Sequence, residues 1–451
     1  NQKNAEGLTR RLLRAGGWVL GGHATSQALR LLGNLLMTRL LAPEMFGVMA
    51  LAHVFVIGLN MFSDVGLKQV VVQSNRGEDR LFLNTVWSVQ IVRGGLICVL
   101  GILLAGALAF AQNIIPHGST YSNPELPFVL AWLSLTAIVA GFESTKLLTA
   151  GRVLDFGRLT LIELISQIFG LGLMATWAIA SPSIYSLVAG AIISALIRTV
   201  LSHLWMAGEN NRWSWHTESV HEILKFGKWI FLTSILGFLI ASGDRLLMGG
   251  LFSADTMGNY AIAVLLLGAV QELVNKLIGS VVYPAMGEIK RRDGVRLNEL
   301  YCKIRRPIDM FCLSAAGFLF FSGQTIVGIL YDERYVDAGV MLEILGLTLF
   351  ALRYGVAGQF YIAIGKPNIS AYLMIIRLIS LILFVIFGNY LGGNMGAVWG
   401  VSLSVLPTMA MNLFYFKPKV GIVNYRFELF SLSYFGLGLL LGYFSRFLFG
   451  N

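Results

Sequence analysis

The sequence predicts an all-α protein that crosses a lipid bilayer about thirteen times, and three observations predict it. The chain of 451 residues is 56% apolar and only 13% charged, more apolar surface than one soluble core of this size can hide. Apolar stretches of membrane length recur along it, each bounded by Gly, Pro or charge, and a hydrocarbon layer of roughly 30 Å needs about 20 such residues as helix. Irregular backbone and open sheet edges cannot face lipid because their N–H and C=O groups would go unpaired, so each stretch is helical.

The spans read, in order, 17 to 41, 46 to 73, 82 to 111, 127 to 147, 159 to 180 and 184 to 207. A polar connector, 208 to 222, carries tryptophans, and further spans follow at 226 to 251, 257 to 287, 307 to 330, 339 to 363, 370 to 391, 395 to 416 and 428 to 448. Arg10, Arg11 and Arg14 precede the first stretch, which is too long and has no small-residue cleavage site for a removable leader, so it reads as a retained span. Cys98, Cys302 and Cys312 show no CxxC spacing and no His partners, which predicts neither a disulfide framework nor a metal site.

Orientation follows from Lys and Arg, which stay in cytoplasmic loops during insertion. With the N-terminus inside, cytoplasmic segments collect Arg76 and Arg80, Arg152 and Arg158, Lys225 and Lys228, a basic run from Lys290 to Arg306, Lys366, and Lys417, Lys419 and Arg426. The loops assigned to the outside contain only Arg334. The net charge of +10 is therefore mainly a topology signal. The same signal explains the run from Lys290 to Arg306, for which an anionic-lipid or partner site is the competing reading.

Residues 12 to 52 align without a gap to residues 223 to 263: Gly16 with Gly227, Trp18 with Trp229, the run Leu35, Leu36, Met37 with Leu246, Leu247, Met248, and Gly47 with Gly258. Matched glycines, tryptophans and charges are not selected by lipid solubility alone. Two six-span lobes of like orientation are expected, 1 to 207 and 223 to 416, joined by 208 to 222 and followed by an extra helix within 417 to 451. Parallel repeats of this kind are a transporter plan in which halves rock about a central site.

The run NLLMTRLLAPEMFGVMAL at 34 to 51, with SDVGLKQVVVQ at 63 to 73, resembles the opening of the polysaccharide transport family of flippases, within the multidrug/oligosaccharidyl-lipid/polysaccharide exporter superfamily. The resemblance implies two six-helix lobes in a V around a central cavity. It implies a substrate too, a polyprenyl-pyrophosphate-linked oligosaccharide turned from the cytoplasmic to the periplasmic leaflet of a bacterial inner membrane for capsule, exopolysaccharide or O-antigen assembly. A polysaccharide polymerase and chain-length machinery would be partners downstream. Members add two helices after the second lobe, where this sequence shows one.

Charges within the spans guide the mechanism, because a charged group at mid-bilayer is costly unless it faces protein or water. Basic residues there are Arg30, Arg39, Lys68, Arg93, Lys146, Arg198, Arg245, Lys276, Arg353 and Arg377; acidic ones are Asp64, Glu143, Glu163, Asp244, Glu272 and Glu343. Asp64 with Lys68 and Glu272 with Lys276 are spaced i,i+4, and Glu143 with Lys146 i,i+3, which suits neutralisation on one helical face or, with Glu343, coupling to a proton or sodium ion and gating. Arg39, Glu163, Asp244 and Arg245 lie near span ends, where they can reach headgroups. Arg30, Arg93, Arg353, Arg198 and Arg377 are left deep without a local carboxylate, the surplus that a pyrophosphate headgroup needs; inter-helix ion pairs are the alternative. Gln27, Asn34, Asn60, Gln90, Gln271 and Asn275 are candidates for sugar contacts, against the commoner use of such residues as bonds between helices.

There is no P-loop, GxSxG or HExxH motif and no long soluble loop, so the expectation is a transporter rather than an enzyme, without cofactor, metal or nucleic acid. A multidrug or lipid II exporter is the alternative within transport. A membrane glycosyl polymerase or ligase is the alternative of another class.

Overall fold

The computed structural model describes residues 2–64, 66–74, 76–153, 156–278, 297–422 and 424–449. Lys290, Arg291, Arg292 and Arg296 of the basic run lie outside the described residues, as do the side chains of Arg10, Arg11, Arg14, Trp18 and Trp229. The described secondary structure is helical, and among the described residues ten helical stretches are long and apolar enough to cross a membrane. Residues 1–238 form one compact unit and residues 239–451 another.

In the first unit the helices are α1 (Gln2–Leu40), α2 (Pro43–Phe62), α3 (Leu67–Gln73), α4 (Arg80–Ala111), α5 (Glu125–Gly141), α6 (Lys146–Val153), α7 (Phe156–Ala180) and α8 (Ile184–Leu204), and α9 (Thr217–Leu251) begins there. Packing relies on small residues that let backbones approach, as expected where lipid supplies no hydrophobic drive between helices. A Cβ on Gly94 of α4 would stand 2.6 Å from the Ala137 carbonyl oxygen of α5, and one on Gly170 of α7 would stand 2.8 Å from the Gly190 carbonyl oxygen of α8. The helix α1 runs parallel to α7: Gly22 meets Thr160, Gln167 Nε2 donates to Ser26 Oγ at 2.7 Å, and Gly33 meets Leu171.

Two predicted spans of this unit are interrupted. The span read as 46 to 73 ends as helix at Phe62, and Gly66, in the left-handed region at φ 65°, starts α3; a Cβ would make that conformation costly. The span read as 127 to 147 stops at Gly141 and resumes at Lys146.

The second unit takes up the rest of α9 and continues with α10 (Ala254–Leu277), α11 (Leu297–Leu330), α12 (Val336–Gly346), α13 (Leu349–Leu352), α14 (Gly355–Ala363), α15 (Pro367–Leu403), α16 (Val405–Met411), a π-helical turn (Asn412–Phe416), α17 (Lys417–Val420) and α18 (Tyr425–Phe449). The span read as 339 to 363 is thus three short helices. In α15 the non-helical Gly392 and Gly393 (φ 57°) reverse the chain. Gly388 then lies against Gly396, and Gly400 against Phe384, so residues 367–391 and 394–403 are antiparallel arms of two crossings. The last helix, α18, is no appendage. It lies parallel to α11, with Gly438 against Ser314, Gly317 against Phe435 to Leu439, and Gly442 against Phe321.

Candidate functional site

Three sets of polar groups stand on these helices, and each follows from how the local chain ends, breaks or packs.

In α1 the residues packed on α7, Gly22, Ser26 and Gly33, define one side of the helix. His23, Gln27, Arg30 and Asn34 fall at i, i+4, i+7 and i+11, a second stripe about a quarter turn away. Arg30 is exposed, and His23, Gln27 and Asn34 are half-buried. Four polar groups in line on one helix would be costly against lipid.

At the broken end of α2, Arg93 of α4 donates from Nη2 to the Asn60 carbonyl oxygen at 2.7 Å and from Nε to Ser63 Oγ at 3.2 Å. The last carbonyls of a helix have no intrahelical partner and carry partial negative charge, which a guanidinium satisfies. The Asn60 side chain is turned to the Val56 carbonyl at 2.9 Å. Asp64 lies beyond the helix end and accepts the Gly66 N–H at 2.8 Å, while Lys68 is exposed on α3. The break removes the shared helical face on which an Asp64–Lys68 pair depended.

The interruption after Gly141 likewise dissolves the expected Glu143–Lys146 pair. Glu143 takes Arg198 of α8 instead (Nε to Oε1 3.2 Å), giving Arg198 the carboxylate that its own helix lacks. Lys146 donates to the His203 carbonyl and to Asn210 Oδ1, both at 3.1 Å. Gln90 is spent on the end of α5, where its Nε2 donates to the carbonyls of Ala140 and Gly141 at 3.2 Å and of Glu143 at 3.0 Å.

The third set, in the second unit, is a buried charge cluster. Arg305 forks onto Glu428, its Nη2 donating to Oε2 at 2.7 Å and its Nη1 to Oε1. Arg305 Nε donates to Asp309 Oδ1 at 3.1 Å, one turn along α11. Arg353 Nη1 reaches Asp309 Oδ2 at 3.4 Å and Ser431 Oγ at 2.8 Å, and its Nη2 stands 3.6 Å from Glu428 Oε2. Lys417 Nζ donates to Glu428 Oε1 and lies 4.7 Å from the ring centre of Tyr354, over which Arg305 also sits at 4.9 Å. Arg305 is 1% exposed, Asp309 and Lys417 0%, and Arg353 3%. Such a pairing offsets a large desolvation cost only while every member is present. Arg353 is closed off by these partners, and the cluster fastens α18 to α11 and α17.

The other predicted residues are dispersed. Arg377 Nη1 donates to Ser404 Oγ at 2.6 Å, Glu343 accepts from the Gln324 backbone N–H at 3.2 Å and Nε2 at 2.9 Å, and Gln271 Nε2 reaches Thr348 Oγ1 at 3.4 Å. Glu272 and Lys276 keep one face of the unbroken α10, both half-buried, and Asn275 is exposed. Asp309, Glu428, Arg305 and Lys417 went unmarked in the sequence: three lie at span ends among residues that read as loop charges, and their partners are up to 123 residues away. Asp309, two residues past Pro307 inside a predicted span, was the one available signal. Among the described residues no group of His, Cys, Asp or Glu could hold a metal ion.

A family profile described as "Polysaccharide biosynthesis protein" matches residues 36–340. The lipopolysaccharide biosynthesis protein WzxC of Escherichia coli (strain K12) is 21% identical over 400 residues, 88% of this chain and 79% of that protein. Among solved structures, the lipid II flippase MurJ in its inward closed conformation aligns with a TM-score of 0.69 at 15% identity, over 95% of this chain and 96% of that one. An inward-facing multidrug resistance MATE family transporter of the MOP superfamily aligns with a TM-score of 0.61 at 12% identity, over 94% of each chain. The fold is thus the all-α, two-lobed fold of these transporters. With more than half of its length matched by the profile, the chain belongs to the polysaccharide biosynthesis protein family.

Proposed function

We propose that this protein is a flippase that turns polyprenyl-pyrophosphate-linked oligosaccharide repeat units from the cytoplasmic to the outer leaflet of a bacterial inner membrane, by alternating access, for exopolysaccharide, capsule or O-antigen assembly. Membership of the family supports the polysaccharide, and a fold shared with a lipid II flippase supports the lipid carrier. The observation that carries the reading is the stripe His23, Gln27, Arg30 and Asn34 on α1, a hydrogen-bonding track with one exposed guanidinium. A guanidinium pairs bidentately with phosphate oxygens and stays charged when partly buried, and carboxamides hydrogen-bond hydroxyl groups of sugars. The N-terminus is on the cytoplasmic side, and the lobes are 1 to 207 and 223 to 416. Half-buried Glu272 and Lys276 are the pair suited to coupling with a proton or sodium ion. A polymerase and chain-length machinery consume the product.

The test is to delete the chain from its host and follow the lipid-linked repeat unit. The proposal expects full-length units to accumulate in a form that a glycosidase added outside the inner membrane cannot cut. Units that are still cut from outside, or that never reach full length, contradict it.

A further inference from the structure

Apart from the features above, the second unit carries a groove of about 620 Å³ between the start of α15 and the segment from Met411 to Val420. One wall is Ile369, Tyr372 and Ile376, spaced i, i+3 and i+7 on α15; the other holds Met411 and Tyr415. Two ammonium groups stand on the rim: Lys366, immediately before α15, and Lys419, whose Nζ lies 5.4 Å from the ring centre of Tyr415. Lys417 and Lys419, two residues apart on α17, have separate duties. Lys417 is wholly buried on Glu428, while Lys419 is exposed on the groove. The tyrosines are 56% and 51% exposed, and α15 continues beyond the groove with exposed Ile375, Ile379 and Leu383, a lipid-facing surface.

A cationic rim, a pair of tyrosines at rim level and an apolar floor leading into the hydrocarbon are complementary to an amphiphile with an anionic head. The positive-inside assignment of Lys366 and Lys419 puts that rim at the cytoplasmic interface, where basic pockets between membrane helices take anionic headgroups. We propose that this groove binds one anionic phospholipid of the cytoplasmic leaflet, its phosphate between Lys366 and Lys419 and an acyl chain along Ile369, Tyr372 and Ile376. This inference does not depend on the flippase reading. It concerns a structural lipid and not the cargo.

The test uses the purified full chain, with phosphatidylglycerol and phosphatidylcholine of matched acyl chains as probes and native mass spectrometry as readout. Each lysine near an anionic headgroup is worth about fivefold in affinity, so the K366A/K419A variant weakens phosphatidylglycerol retention by about 25-fold. The K366R/K419R variant keeps it within about twofold, and phosphatidylcholine is held weakly by all. A photoactivatable phosphatidylglycerol labels the wild-type chain within 366–376 and 411–420, a readout that survives if the alanine variant does not fold. Unchanged retention by the alanine variant, or labelling elsewhere, overturns the proposal. So does displacement of phosphatidylglycerol by equimolar polyprenyl diphosphate, which would assign the groove to the transported lipid.

Discussion

The two copies of the repeated stretch, 12 to 52 and 223 to 263, are used differently. On α1 the stripe is His23, Gln27, Arg30 and Asn34; the gapless repeat puts Ser234, Phe238, Ala241 and Arg245 at the matching places of α9. The first copy keeps a polar track at partial exposure, whereas the second has Ala241 in the place of Arg30 and an arginine only in the place of Asn34; the second unit concentrates its charges in a sealed cluster, Arg305, Asp309, Arg353, Lys417 and Glu428. Burial separates the two sets: the cations of the cluster are enclosed and multiply paired and hold helices together, whereas Arg30 on α1 is exposed.

The comparison breaks first at Glu428. Replacing Glu428 with Gln leaves Arg305 and Lys417 buried without their main counter-charge and lowers stability by about 3–5 kcal/mol, read as lost abundance and an earlier melting transition in detergent. A variant that accumulates and melts like wild type would show that the cluster does not hold α18. Arg353→Ala removes hydrogen bonds to Asp309 and Ser431 and costs about 2–3 kcal/mol, so transport falls because the protein falls. Normal melting with abolished transport would return Arg353 to the substrate path. Arg93→Ala uncaps α2 and loses about 1–2 kcal/mol, with faster hydrogen exchange at Leu59 to Ser63; unaltered exchange there would contradict the capping role. Arg198→Ala opens a pair whose arginine is 46% exposed and changes melting by about 0–1 kcal/mol.

Most of the crossings were legible because membrane thickness imposes length and composition on each one, although the stretch read as 17 to 41 is not among the ten candidate spans and Glu125–Gly141 is shorter than one. The start of α4 at Arg80, the Gly392–Gly393 reversal and the start of α18 at Tyr425 fall within a few residues of the predicted limits. The break between Gly346 and Gly355 was not legible, since the apolar pattern continues across it, whereas those at Phe62 to Gly66 and Gly141 to Lys146 carry short polar runs, Ser63-Asp64 and Glu143 to Lys146, that the span reading passed through. The first two breaks each redirected a charge pair: Glu143 passed from Lys146 to Arg198, and Asp64 from Lys68 to the Gly66 N–H. The cluster was hidden for another reason. Arg305, Lys417 and Glu428 sit at segment ends, where a charge reads as solvated, and only the parallel docking of α18 on α11 brings them together. The stripe on α1 was visible throughout as Gln27, Arg30 and Asn34, but its separation from the packed side of the helix needed the contacts of Gly22, Ser26 and Gly33 with α7.

The most direct measurement is transport by Arg30→Ala and Arg30→Lys at matched membrane abundance and melting temperature. The account predicts that the alanine variant loses at least about tenfold in export of lipid-linked repeat units and that lysine, a point charge without the bidentate fork, restores part of it. Full export by the alanine variant would contradict the assignment of the α1 stripe to the substrate path.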